Sequence, residues 1–447
     1  MPRRRQDQPV QDSLAADEPV HVLNDAPVHD TAFVLNAAHA IAFCDMLLVG
    51  AMRTVLPYYA RSLGAKARGV SALEAFYGIG QVLGAVILGR WSDSRGRKAV
   101  LILSFAGSTV GYLLAATSVL LGAPALLLLS RLPVGLAKQT TTTCRAIVTD
   151  ATPGAAERSQ AQAALFARMA VGYAIGPAIG GWLLDRSTAL ACAWMPALLC
   201  AACYALLLPG LALRIPETSP PVRVDPAPPA PGGAPGAEGP PKLRSWRRRA
   251  VVVPVLLSVL PEAAVLCGLT GLPIYAQALG WEASRLGLFN SLWGLGAGAV
   301  SFGPLKWLCR NHADTSIAAL GAAVLALGAT ALALAPLLLP SRPAVAPIAL
   351  WLNLLTASPG IAILRTAPAA ILSKAAPAEA RGEALGLLDA AGSVCRILVP
   401  AACALAAEAL GPSGPFALQA VAAWASAASL ALVFAAGRPG GGRRKAE

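Results

Sequence analysis

The chain has 447 residues, 56% of them hydrophobic and only 13% charged, a formal net charge of +13 and a mean hydropathy of +0.60. A soluble protein of that make-up would be covered in exposed apolar surface, so composition excludes a soluble fold and leaves a polytopic membrane protein. The basic excess calls for no nucleic-acid partner, because juxtamembrane Lys and Arg are drawn to anionic lipid headgroups at ~1 kcal/mol each, and membrane lipid is the expected surrounding partner.

In chain order, residues 1–30 are polar, mix acidic residues with proline, and lack the apolar core and small-residue cleavage site of a secretory signal. They read as a disordered cytoplasmic tail. Apolar segments long enough to cross ~30 Å of hydrocarbon at 1.5 Å per residue then recur at roughly 31–59, 69–90, 99–121, 124–149, 160–184 and 188–210. A second set follows at roughly 250–277, 283–305, 314–338, 344–373, 383–408 and 413–436. Backbone polar groups must be satisfied within each such segment, so the spans are helices. The expected fold is an all-α membrane protein of twelve transmembrane helices in two six-helix bundles, 31–210 and 250–436. Between them, 211–249 is rich in Pro, Gly and Ala and ends in Arg247, Arg248 and Arg249; it has too few apolar residues to fold alone and reads as a cytoplasmic linker, with partner recruitment through its Pro-Pro pairs as the alternative. Residues 437–447 form a basic tail.

Lys and Arg set the orientation. With a cytoplasmic amino terminus, one set of loops carries Arg95, Arg97, Lys98, Arg158, Lys306, Arg310, Lys374 and Arg381, and the linker and both tails add more. The opposite loops hold only Arg61, Lys66, Arg68, Arg186, Arg285 and Arg342. Both termini are therefore expected in the cytoplasm, with plasma and internal membranes both open. Nine cysteines fall almost wholly in apolar segments or at their ends and suggest neither a disulfide framework nor a metal site. No Walker loop, HExxH signature or GxSxG elbow is present, so an ATP-driven pump and an enzyme are disfavoured, and no cofactor is expected.

Between the second and third segments lies Gly89-Arg-Trp-Ser-Asp93-Ser-Arg-Gly96-Arg97-Lys98. Glycine lets a short loop reverse direction, and Asp93 can pair with arginine. The string resembles the corresponding loop of the major facilitator superfamily, Gly-x-Leu-x-Asp-Arg-x-Gly-Arg-Lys, departing from it at Trp91 and Ser94. Arg131 with Gly135 resembles that superfamily's fourth-helix pattern, and Gly172-x-x-x-Gly176-Pro177-x-x-Gly180-Gly181 resembles the fifth-helix pattern of its antiporters. Small residues allow close helix approach, and Gly-Pro frees a carbonyl and permits a bend. Asp150-x-x-Pro153 and Lys374-x-x-Pro377, with Pro177 and Pro400, leave a faint echo between the halves.

Within that superfamily the first half is most similar to the tetracycline-resistance-type branch and its animal relatives. Asp45-x-x-x-x-Gly50-x-x-x-x-Val55-Leu56-Pro57 reproduces the first-helix spacing, Gln81 stands eight residues before Gly89, and Ser104 to Ser108 with Tyr112 resembles the third helix. Gly111 replaces that branch's aspartate before the tyrosine, and Lys138 and Arg145 stand where it has small residues. The resemblance therefore argues against tetracycline as substrate, and two extra cations favour an anionic solute.

Ionisable residues within a bilayer are costly and mark function. The deepest here are Asp45, Arg131, Lys138, Arg145, Arg168, Glu262, Arg365, Asp389 and Arg396. Asp45 is the candidate proton carrier, or else a partner for Arg131 or Arg145. Asp389 and Arg396, seven apart on one helical face, are cavity candidates, or else a structural pair. Asp93 with Arg97 reads as a cytoplasmic latch. The expectation is a monomeric secondary transporter of a small organic solute working by alternating access; Asp45 and the fifth-helix pattern favour proton-coupled antiport, the absent third-helix aspartate leaves facilitated diffusion open, and a non-transporting receptor or scaffold on the same fold is the alternative.

Overall fold

A computed structural model of the chain describes residues 31–152, 155–215, 217, 248–338, 345–375 and 381–436. The 1–30 tail, the Pro-rich stretch of the linker and the 437–447 tail expected from the sequence lie outside these residues, as do the side chains of Asp93 and Asp389. Every described element is a helix. In the first half these are α1 (Thr31–Ser62), α2 (Ala67–Arg95), α3 (Arg97–Leu121), α4 (Pro124–Ala137), α5 (Thr140–Asp150), α6 (Ala155–Ala189) and α7 (Met195–Arg214). The second half has α8 (Arg248–Ala278), α9 (Ala283–Phe302), α10 (Pro304–Asn311), α11 (Asp314–Leu338), α12 (Val345–Ala375), α13 (Arg381–Leu410) and α14 (Gly414–Ala436).

Fourteen helices make twelve spans because two spans are broken. α4 stops at Lys138 and α5 restarts after Gln139, so the fourth span, expected as one helix, is two. The local cause is in the sequence: Thr140 to Thr143 are four β-branched residues in a row, poor helix formers that follow Pro133 and Gly135. α9 and α10 are parted by Gly303 before Pro304, which sits at the first turn of α10. Nine of the described helices are apolar and long enough to cross a membrane by themselves; α4 and α5 fall short of the ~20 residues required because of the break.

The helices bury two large separate apolar cores. One draws on α1 to α7, around Tyr59, Phe105, Tyr112, Ile147 and Tyr204, and takes in Ile274 of α8 and Ala283 of α9. The other draws on α8, α9, α11, α12 and α14, around Leu286, Phe289, Trp293, Leu325 and Phe416. The halves also echo each other in their turns: the first span of each ends at a residue of positive φ, Gly64 and Gly280, and so does the fifth, at Ala191 and Gly411.

Two seams join the halves, α6 against α9 and α2 against α13. Their polar contacts gather at the end that carries the α1–α2 and α8–α9 turns. There Tyr58 donates to the carbonyl of Trp281 at 2.7 Å, Arg68 pairs with Glu408 at 2.5 Å, and Asp185 accepts the backbone N–H groups of Ala283 and Ser284 at 3.1 and 2.8 Å. Along one face of α9 the seam then loosens. A Cβ on Gly287 would collide with the Pro177 carbonyl of α6, on Gly294 it would touch Ala174 at 3.4 Å, and on Gly298 it would meet nothing within 4 Å. The halves are bridged at one end, and α9 draws away from α6 toward the other.

Candidate functional site

Gly172, Gly176 and Gly180 form one face of α6, and a Cβ on any of them would run into backbone of α1 at Phe43, Leu47 or Ala51. Gly181, one residue on, points to a different neighbour, Ala283 of the other half. Pro177 fills the space over Gly50, and the Ala178 N–H beside it donates to Ser291 of α9 at 3.1 Å. This face locks α6 to α1 while its flank meets the second half, which fixes the depth and rotation of Asp45 on α1.

Asp45 is fully buried, and its partner is Lys138, not Arg131 or Arg145. The Lys138 ammonium donates to Oδ1 of Asp45 and to the Tyr204 hydroxyl at 3.3 Å, and Tyr204 in turn donates to Oδ1 at 2.9 Å. Phe105 and Tyr112 hold the Tyr204 ring with centroids 5.2 and 5.7 Å away. Lys138 can reach this point because it is the residue at which α4 ends. Oδ2 of Asp45 has no hydrogen-bond partner. A buried carboxylate and ammonium are tolerable only while paired; neutralising either leaves the other uncompensated, at about 3–5 kcal/mol.

Arg131 lies seven residues earlier, about 10 Å nearer the bridged end at 1.5 Å per residue. Its side chain is buried, with the guanidinium 4.9 Å over the Tyr77 ring. Its Nε and one terminal nitrogen have no hydrogen-bond partner. Gln81, one turn beyond Tyr77, donates to the Tyr77 hydroxyl at 3.2 Å. A cavity in front of Arg131 is walled by Leu56 and Arg53 of α1, Leu73 and Glu74 of α2, and Leu269 and Thr270 of α8, so both halves contribute to it.

Of the remaining sequence candidates, Arg396 borders the Arg131 cluster, its backbone packed on Gly78 next to Tyr77. Arg145 is exposed, its guanidinium 5.4 Å over Phe166, and Arg168 and Arg365 are exposed as well. Arg396 approaches Glu262 of α8 at 3.8 Å, with Gly392 beside both. In the α2–α3 loop, Arg97 pairs with Asp150 at 3.5 Å. The backbone N–H groups of Arg97 and Lys98 donate to the Glu217 carboxylate at 2.7 and 3.2 Å, just after Gly96. Sequence reasoning missed Arg53, Glu74, Tyr77 and Tyr204. Arg53 and Glu74 were open to the rule applied to Asp45, being charges inside apolar segments; the tyrosines carried no such signal.

The family model of the Major Facilitator Superfamily matches residues 38–400. The chain belongs to the major facilitator superfamily. Class E tetracycline resistance protein of Escherichia coli is 35% identical over 148 residues, 32% of this chain and 36% of that protein. Human solute carrier family 67 member A1 is 32% identical over 203 residues, 45% of this chain and 46% of that protein. Each match spans less than half of the relative's own length, and those to tetracycline resistance proteins bear out the resemblance to that branch. Among solved structures, the nucleoside transporter NupG superposes with a TM-score of 0.66 at 15% identity, covering 90% of this chain and 99% of that one. A bacterial homologue of the human lysosomal transporter Spinster, inward-facing and unoccupied, gives 0.64 at 16% identity over 91% and 95%. These likenesses are of fold alone.

Proposed function

We infer that this major facilitator protein is a secondary active transporter of a small organic solute, in which the two six-span halves rock about a central cavity and the Asp45–Lys138 pair couples that motion to protons. The observation that carries the coupling is the complete burial of Asp45 with Lys138 and Tyr204 as its partners. Protonating Asp45 releases Lys138, and a free ammonium in a low-dielectric interior must be hydrated or find another anion. Either outcome disturbs the α4–α5 break, where Lys138 sits, so the protonation state and the backbone geometry of the fourth span are tied together.

The distribution of Lys and Arg puts both termini in the cytoplasm. On that orientation the bridged end, where Tyr58, Arg68 and Asp185 join the halves, faces away from the cytoplasm, and the divergence of α9 from α6 beyond Gly294 corresponds to an inward-open cavity. The bridges are few and small, as a gate that must reopen requires.

The test uses proteoliposomes holding the purified full chain and an internal pH dye, with pools of small organic solutes added outside. Solute-dependent proton movement that is lost in Asp45→Asn supports coupled transport. Equilibration of radiolabelled solutes without proton movement makes the protein a facilitator. Absence of both in folded protein raises the receptor or scaffold reading above the transporter one.

A further inference from the structure

Lys138 is taken up by Asp45, and Arg145 is exposed over Phe166, so the two cations that set the sequence-based expectation of an anionic solute do not stand free in one place. Arg131 does. It is buried, with 7% exposure, two of its guanidinium nitrogens have no hydrogen-bond acceptor, and the guanidinium lies over the Tyr77 ring. The cavity before it is also lined by one further cation, Arg53, and one anion, Glu74. These three formal charges sum to +1, so the cavity wall carries a net positive charge. A buried guanidinium without an acceptor is costly and presents forked donors that match a carboxylate.

The rest of the wall is chiefly apolar, from Leu56, Pro57, Val70, Leu73, Leu269 and Pro273, with the Thr270 hydroxyl as a lone polar group. In this conformation the free space before Arg131 is of the order of one water, so a solute is seated there only as the halves move apart. Because Leu269, Thr270 and Pro273 belong to the second half, any movement of the halves changes the wall opposite Arg131.

We propose that Arg131 anchors the carboxylate of a small organic monoanion whose apolar body lies against Leu73 and Leu269, so that the solute is held between the two halves. This rests on the transporter reading above and names its substrate class. The carboxylate supplies the acceptors that Arg131 lacks, and the apolar wall disfavours a solute with a second charge. The Asp45–Lys138 pair, about 10 Å further along α4, is left free to handle the proton.

The experiment is thermal unfolding of the purified full chain in phosphatidylcholine nanodiscs with benzoate and indole-3-acetate, against benzamide and indole-3-acetamide at equal concentrations. The carboxylates are expected to raise Tm saturably and the amides to have little effect. Arg131→Gln should weaken carboxylate binding at least tenfold, with Arg131→Lys intermediate because it keeps the charge but not the fork. Equal stabilisation by amides, no stabilisation by either carboxylate, or native-like binding in folded Arg131→Gln overturns the proposal. If Arg131→Gln does not fold, Leu269→Trp keeps the charge and fills the space before it; retention of the carboxylate response there overturns the proposal equally. If added phosphatidylglycerol stabilises the protein and abolishes the carboxylate response, the site belongs to lipid headgroups and the solute assignment falls. Proton flux is scored separately with Asp45→Asn: a chain that binds carboxylates but moves no protons retains the Arg131 site and loses the coupled-transport reading, and flux without carboxylate selectivity does the reverse.

Discussion

The Asp185 carboxylate near the end of α6 receives the backbone N–H of Ser284 at 2.8 Å, so a side chain of one half caps the first turn of a helix in the other. The second oxygen takes the N–H of Ala283 at 3.1 Å. An anion at a helix amino terminus satisfies donors that no residue of α9 reaches, and it is favoured by the helix dipole. This contact exists only while the halves meet at this end.

Asp185→Ala should therefore shift the balance toward opening here. Charge-assisted bonds of this kind are worth about 1.5–3 kcal/mol, which corresponds to a shift of roughly tenfold or more in the ratio of the two states. Spin-label distances between positions near Ser62 and Glu282 would show a second, longer population in the variant; an unchanged distribution would remove Asp185 from the gate.

Asp45→Asn and Lys138→Gln should each destabilise the folded chain by about 3 kcal/mol, because each strands a buried partner. Together they should cost clearly less than the sum. A double-mutant cycle by thermal unfolding in detergent checks this, and additive losses would mean that the pair does not interact as described.

Gly176→Ala should impair folding, since the added methyl would be driven into the Leu47 carbonyl and lie 2.9 Å from the Ala51 nitrogen. Overpacking of this kind costs about 1–3 kcal/mol. Gly298→Ala, on the diverging part of α9 with nothing within 4 Å, should instead be neutral or stabilise by roughly 0.5–1 kcal/mol through helix propensity. Size-exclusion profiles after a heating series separate the two.

Ala191 closes α6 with φ 57, a left-handed conformation that its counterpart Gly411 adopts without a side chain. Relief of about 1–2 kcal/mol of left-handed strain, less the entropy of a more flexible unfolded chain, leaves a net gain of roughly 0.5–1 kcal/mol for Ala191→Gly. The readout is a higher Tm with unaltered transport.

Helix class, span number and the basic loop after α2 were legible because apolar length and Lys/Arg placement are local properties of the chain. The break in the fourth span was also written locally, in Thr140 to Thr143, yet an apolar window averages over it. The role of Glu217 was not legible, since it reaches the Arg97 and Lys98 N–H groups from more than a hundred residues away.

The sequence by itself determined that the chain crosses a membrane in two sets of six helices, which charges fall within apolar segments, and which family its motifs resemble. Tertiary structure alone decided how those charges are shared: Lys138 goes to Asp45, Arg396 approaches Glu262, and Arg131 is left facing a cavity completed by α8. The physical reason is that insertion depends on hydrophobicity summed along one segment, whereas ion pairing depends on the rotation and depth of helices distant in sequence. Those are set by close contacts such as Gly176 on Leu47, which no single segment encodes.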